Sequence, residues 1–207
     1  PSFELCRTLP ANEVEDGKIE VIGDDIDALE EGSCVALGIV AEVSGAKMQT
    51  DFEPILERQF HRFLNCAQGL FHMGQRDSSW IRISKDAFAD GLKLEHIGSI
   101  LHAKIREEYS AIVDKCQVTI YTKVEDVEKH LVEAHEAYSE RDERLAGMTD
   151  ESVDIFYSCS LCQSFAPNHI CVITPERSGL CGAYNWLDGR AAYEITPTGP
   201  NQPIDKG

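Results

Sequence analysis

The chain is short of positive charge. Lys and Arg number 19 against 36 Asp and Glu, a formal net charge of −17. Phosphate contacts use Lys and Arg to release counterions, so no nucleic-acid partner is expected. Long apolar runs are also missing. None reaches the roughly 18 residues that cross a bilayer, so no membrane span is expected. The opening string PSFELCRTLP lacks the basic start and apolar middle of a secretory leader. A soluble, cytoplasmic protein is the expectation. There is no glycine-rich phosphate loop, no Ser-His-Asp signature and no internal repeat. His130 and His135 stand five apart, so they do not share a helix face as an i,i+4 metal pair would. An initiator Met is absent and the string stops at Gly207, which reads as a piece cut from a longer polypeptide.

The 207 residues suffice for one large domain or two small ones, and the 43% hydrophobic content is that of a globular chain. Strands are predicted at Ile19–Ile22, Val35–Val43, Trp80–Ser84 and Gln117–Tyr121, each rich in Val and Ile or alternating with period two. Between them lie helical patterns. Thr50 and Glu53 read as a capping box ahead of Leu56, Phe60, Phe63, Leu64 and Phe71 at helical spacing, with Pro54 tolerated in the first turn. A second helix is predicted over Leu94–Tyr109, with Ile97, Ile100, Leu101 and Ile105 inward. A third starts at Thr122, with Glu125 three residues on, and carries Val124, Val127, Leu131 and Tyr138. Gly147 closes it. Thr149 would cap a short fourth helix that delivers Tyr157 and Cys159 into a cysteine-rich loop.

The fold class expected is α/β: a mixed sheet of about four strands with flanking helices, made mixed by a β-hairpin at its start, then a Cys-rich metal-binding loop segment. The expected domains are 1–148, and 149–207 as the incomplete start of a second.

Eight cysteines are present. Cys6, Cys34, Cys66 and Cys116 are isolated, three of them in apolar surroundings where Cys acts as a small hydrophobe. Cys159, Cys162, Cys171 and Cys181 are bunched as C-x2-C-x8-C-x9-C. Disulfide frameworks belong mainly to small secreted chains without a core, so the bunch points to metal. A C-x2-C turn followed by single loop cysteines suits the perimeter of a 4Fe-4S cube. A zinc site of three thiolates with His169 stays open as the alternative. An iron–sulfur cluster could be purely structural or serve electron transfer, and a zinc ion could stabilise an interaction domain.

The cysteines sit in a longer distinctive string. Cys159-Ser-Leu-Cys162-Gln-Ser-Phe165-Ala-Pro167-Asn-His169-Ile-Cys171 continues through Pro175-Glu176-Arg177-Ser-Gly179-Leu-Cys181-Gly182-Ala-Tyr-Asn-Trp186. It then reaches Tyr193-Glu194-Ile-Thr-Pro197-Thr-Gly199-Pro200-Asn201-Gln202-Pro203. This closely resembles the nickel–iron–sulfur cluster region of the CO-methylating acetyl-CoA synthase family. Residues Gly45–Phe71 and Gln75–Lys85 resemble the preceding domain of that family.

The resemblance implies that the four cysteines hold a 4Fe-4S cube and that Cys162 bridges it to a nickel. It implies that Phe165 covers that nickel, although on its own Phe165 reads as a core aromatic. A Cys-Gly-Cys that holds a further nickel in the family is absent from this sequence, and is expected to lie beyond it. The implied reaction joins CO to a methyl group from a corrinoid iron–sulfur protein and releases acetyl-CoA on coenzyme A, or runs in reverse. The implied partner subunit is carbon monoxide dehydrogenase.

An acidic chain must gather its cations locally to hold the phosphates of coenzyme A. His72, Arg76, Trp80, Arg82 and Lys85 lie within fourteen residues. Arg grips phosphate in bidentate fashion and Trp stacks on adenine. The resemblance marks this segment for coenzyme A, with Arg76, Trp80 and Arg82 as contacts. Packing and solvation of a strand face is the plainer reading of the same residues.

Overall fold

The structure, a computed structural model, describes residues 1–162 and 167–207. The chain divides into two compact units, Pro1–Tyr138 and Ser139–Gly207.

The first unit is built on strands β1 (Ser2–Thr8), β2 (Ile19–Ile22), β3 (Leu37–Ser44) and β6 (Lys115–Tyr121), in the order β1-β3-β6-β2. β1 runs parallel to β3 and β2 parallel to β6, while β3 and β6 are antiparallel. The sheet is therefore mixed, as expected, but no hairpin makes it so. The hairpin of the unit, β4 (Leu70–Gln75) with β5 (Ser78–Ile83), is a separate two-stranded sheet, and the strand predicted near Trp80 belongs to it.

The predicted helices are present with shifted ends. α1 (Glu53–Asn65) has Pro54 in its first turn and buries Leu56, Phe60, Phe63 and Leu64 completely. Each such side chain stabilises by about 1.5–3 kcal/mol. Phe71 does not continue this helix; it lies in β4. The expected capping box is not formed either. Phe52 holds the cap position without a side-chain bond, because a 3-10 turn over Thr50–Phe52 precedes the helix and Glu53 turns its carboxylate to the N–H of Thr8 at 2.7 Å.

A short helix α2 (Lys85–Ala89) follows β5, capped by Ser84 Oγ on the Ala87 N–H. α3 (Leu94–Glu108) buries Ile97, Leu101 and Ile105, with Ile100 only half-buried. α4 (Val124–Glu143) begins beyond Thr122, whose hydroxyl donates to the Asp24 carbonyl at 2.9 Å. Val124 faces solvent, while Val127, Ala134 and Tyr138 pack against Phe3, Leu5 and Val40.

In the second unit, α4 ends at Glu143 rather than at Gly147, which sits at a left-handed φ of 82° in the turn beyond. Thr149 then opens a 3-10 turn over Asp150–Ser152, not an α-helix. A strand, β7 (Ile155–Cys159), carries Tyr157 and Cys159 where a helix was expected. It is the middle of an antiparallel sheet β8-β7-β9, with β8 at Cys171–Ile173 and β9 at Pro203–Asp205. α5 (Trp186–Ile195) is capped by Asn185 and Asp188 in reciprocal bonds of 2.9 and 2.8 Å. It lies close on β7: a Cβ on Gly189 would come within 2.8 Å of Tyr157, and Trp186 Nε1 donates to the Ile155 carbonyl at 2.8 Å. Among the described residues, no helix is long and apolar enough to cross a membrane.

Candidate metal centre

All eight cysteines are free thiols. Of the four isolated ones, Cys6 and Cys116 are buried but Cys34 and Cys66 are exposed, so two and not three behave as core hydrophobes. Burial, reinforced by the Asp16 carboxylate, pushes the Cys116 thiol up to about 12. That thiol is chemically quiet.

The bunched cysteines gather about one end of β7. Cys159 closes β7 and Cys171 opens β8, and the two are direct cross-strand partners. Residues so paired hold their Cβ atoms about 4.5–5.5 Å apart. Cys162 lies in the turn just past β7, and Cys181 in a turn ahead of α5. Cys159 is buried, Cys162 and Cys171 are half-buried, and Cys181 is exposed.

Burial raises the pKa of Cys159, and the nearby Cys171 and Cys181 thiols raise it further. The Leu161 backbone N–H and the Asn201 side chain act against this by bonding to the sulfur. Asn201 is itself buried and donates to the Ser158 carbonyl at 3.1 Å, which fixes its amide. The Ala183 N–H points at Cys181 Sγ at 3.4 Å, and His169 Nε2 lies 3.3 Å from Cys171 Sγ.

Two thiols, Cys171 and Cys181, thus lie close to Cys159, and N–H groups are aimed at two of the sulfurs. Free soft thiols with N–H donors suit iron–sulfur clusters, and with His169 they also suit zinc. Among the described residues, no three His, Cys, Asp or Glu side chains already converge as a metal ion requires. Phe165, the expected cover of the centre, lies outside the described residues. Sequence reasoning did not single out Asn201; its burial beside Cys159 emerges only from the sheet.

The three residues expected to meet coenzyme A divide. Trp80 and Arg82 stand together on the exposed face of the β4–β5 hairpin. Arg76 sits in the hairpin turn with its guanidinium 5.2 Å from the centre of the Tyr138 ring. His72 faces the other way and is wholly buried, bonded to Glu4, and Lys85 pairs with Glu31 at 2.7 Å.

Comparison with known proteins covers both units. The profile of the CO dehydrogenase/acetyl-CoA synthase complex beta subunit matches residues 1–127, and that of the C-terminal part of the ACS/CODH beta subunit matches residues 138–207. The chain is 57% identical over 206 residues to the carbon monoxide dehydrogenase/acetyl-CoA synthase subunit alpha of Moorella thermoacetica, covering 100% of this chain and 28% of that one. It is 49% identical over 205 residues to the acetyl-CoA decarbonylase/synthase complex subunit beta 2 of Methanocaldococcus jannaschii, covering 99% of this chain and 43% of that one. Against the corresponding beta subunit of Methanopyrus kandleri it is 45% identical over 204 residues, covering 99% and 44%. The chain spans less than half the length of each of these relatives.

Proposed function

The chain belongs to the CO dehydrogenase/acetyl-CoA synthase complex beta-subunit family, and from that premise we propose that it carries part of a centre for making acetyl-CoA. The substrates are CO, a methyl group borne by a corrinoid iron–sulfur protein, and coenzyme A; the reverse cleavage uses the same parts. The observation that carries this reading is the cross-strand pairing of Cys159 with Cys171, with Cys181 close enough to shift the Cys159 thiol. Cys159, Cys162, Cys171 and Cys181 would hold a 4Fe-4S cube, and Cys162 would also bridge to nickel. Nickel among soft thiolates supplies an electron-rich centre suited to carbon ligands.

The chain's own groups orient and tune that centre. The Leu161 N–H and Asn201 bond to the Cys159 sulfur, and the Ala183 N–H points at the Cys181 sulfur. Such bonds to sulfur set cluster potential. Phe165 would shield the centre from water. In this proposal residues 1–148 bind coenzyme A through Trp80 and Arg82, with Arg76 at the turn, and residues 149–207 begin the cluster domain. The partner subunit is carbon monoxide dehydrogenase.

A zinc site has one observation in its favour, the approach of His169 to Cys171. Anaerobic treatment with ferrous iron and sulfide separates the two. The proposal expects a brown protein with about four irons per chain and broad visible absorption. A colourless protein that takes up a single zinc ion would refute it.

A further inference from the structure

The inward face of the β4–β5 hairpin carries a histidine where an apolar residue is ordinary. His72 alternates with Phe71 and Met73, which face solvent, and is itself wholly buried. A buried imidazole must find partners for both of its nitrogens. Nε2 bonds to Glu4 Oε1 on β1. That oxygen also accepts the Ser79 hydroxyl, so it acts as an acceptor and Nε2 is the N–H of the ring. In the neutral ring Nδ1 is then bare.

The bare nitrogen meets another imidazole. His72 Nδ1 lies 3.3 Å from Nδ1 of His61 on α1, with ring centres 5.5 Å apart and planes at 58°. The approach is fixed from both sides. Asn65, one turn along α1 from His61, accepts from the His72 N–H at 2.8 Å and donates to its carbonyl at 3.1 Å. The same amide nitrogen stands 3.2 Å from His61 Nδ1 and 3.3 Å from His61 Nε2. A helix, a strand and a carboxylate from β1 thus hold two imidazoles with like nitrogens facing.

The spacing chooses between a proton and a metal ion. A hydrogen bond from N–H is usually shorter, near about 2.9–3.0 Å. Two nitrogens on a tetrahedral zinc ion, each at about 2.0–2.1 Å from it, stand roughly 3.3–3.4 Å apart. The far side of His72 fits the same occupant. A ligating histidine gives its other N–H to a carboxylate, which fixes the tautomer and makes the ring a better donor. Imidazole suits zinc, copper and nickel among the divalent ions. We propose that His61 and His72 bind a divalent transition-metal ion through their Nδ1 atoms, with Glu4 as the carboxylate behind His72. His61 is exposed, so the remaining coordination positions open to water. The ion pins β4 to α1.

Zinc is the probe. Equilibrium dialysis against zinc, then elemental analysis, compares wild type with His61→Ala and with His135→Ala, which removes an exposed histidine of α4. Zinc taken up by cysteines is common to all three proteins, so the difference reads the site. His61→Ala is expected to hold about one zinc fewer per chain than wild type, and His135→Ala the same as wild type. Both positions are exposed, and circular dichroism checks that the variants fold. Zinc should also raise the urea midpoint of wild type more than that of His61→Ala, since an ion that binds only the folded chain stabilises it. Nitrogen-15 spectra of histidine-labelled wild type need no variant: zinc should shift the Nδ1 signals of His61 and His72. Equal zinc in wild type and His61→Ala, or Nδ1 signals that zinc leaves in place, would overturn the site and assign the contact to a proton shared by the two rings.

Discussion

The carboxylate of Glu57 on α1 accepts the backbone N–H of Cys6 on β1 at 2.9 Å. One turn earlier, Glu53 takes the N–H of Thr8. β1 is an edge strand, and its outward N–H groups would otherwise invite another chain. Two buried helix carboxylates occupy that edge. Glu57→Ala leaves the Cys6 N–H without this acceptor and should cost about 2–3 kcal/mol, read as a lower urea midpoint. Glu57→Gln keeps a side-chain oxygen and should cost clearly less.

Gly74 has φ 119°, and a Cβ there would meet the Ser78 carbonyl oxygen at 1.8 Å. Gly74→Ala should disrupt the hairpin and destabilise the chain by at least about 2 kcal/mol. A red-shifted Trp80 emission at unchanged helix content would report it.

Thiol accessibility should sort the isolated cysteines. Iodoacetamide at about pH 8 should label Cys34 and Cys66 within minutes and leave Cys116 untouched until denaturant is added, because a buried thiol with a raised pKa supplies almost no thiolate. Peptide mass mapping before and after denaturation reads the difference.

The proposed centre makes an asymmetric prediction. Cys162→Ala should abolish iron uptake on reconstitution, and nickel uptake with it. Cys116→Ala should bind as much of each as wild type. Equal loss in the two variants, measured by elemental analysis, would reject the ligand assignment.

Acid should weaken one tie of the first unit. The hydrogen bond from Arg62, helped by its charge, holds the Glu108 carboxyl below its ordinary value of 4.5, while burial opposes the shift. A depressed carboxylate stabilises above the unfolded pKa, and that contribution is lost as pH falls through the folded value. Wild type and Glu108→Gln should therefore differ in urea midpoint near about pH 6 and converge near about pH 3. The difference should be small, since Arg62 is half exposed.

Much of the first unit was legible because its elements obey simple periods. Ile97, Leu101 and Ile105 mark α3 at helical spacing, and the β2 and β6 strands read directly from their Val and Ile. β1 was not legible. Glu4 is buried among Phe3, Leu5 and Cys6, so the in-out alternation that marks a strand is missing. The pairing that makes the sheet mixed joins β3 to β6 across the length of the unit, and no local pattern encodes it.

The cysteine spacing singled out four thiols without geometry. It could not announce that Cys159 and Cys171 face each other, because Ile155–Cys159 sits behind acidic residues that favour a helix start, and the sheet overrides them. The hairpin's exposed aromatics were hidden for a related reason. Phe71 continues the helical spacing of α1, but α1 ends at Asn65 and a turn with Gly69 at φ 84° leads into β4.

β2 has a single neighbour, and that neighbour is β6: Ile19 pairs with Val118. During synthesis β2 emerges early and waits, unpaired, until nearly the whole first unit has been made. Closing so long a loop is slow, and a waiting apolar strand is open to capture by other nascent chains. Yield in the cell should then depend on how the stretch from Ile19 to Val118 is translated: a pause within it prolongs the vulnerable interval, and a chaperone that shields β2 shortens it.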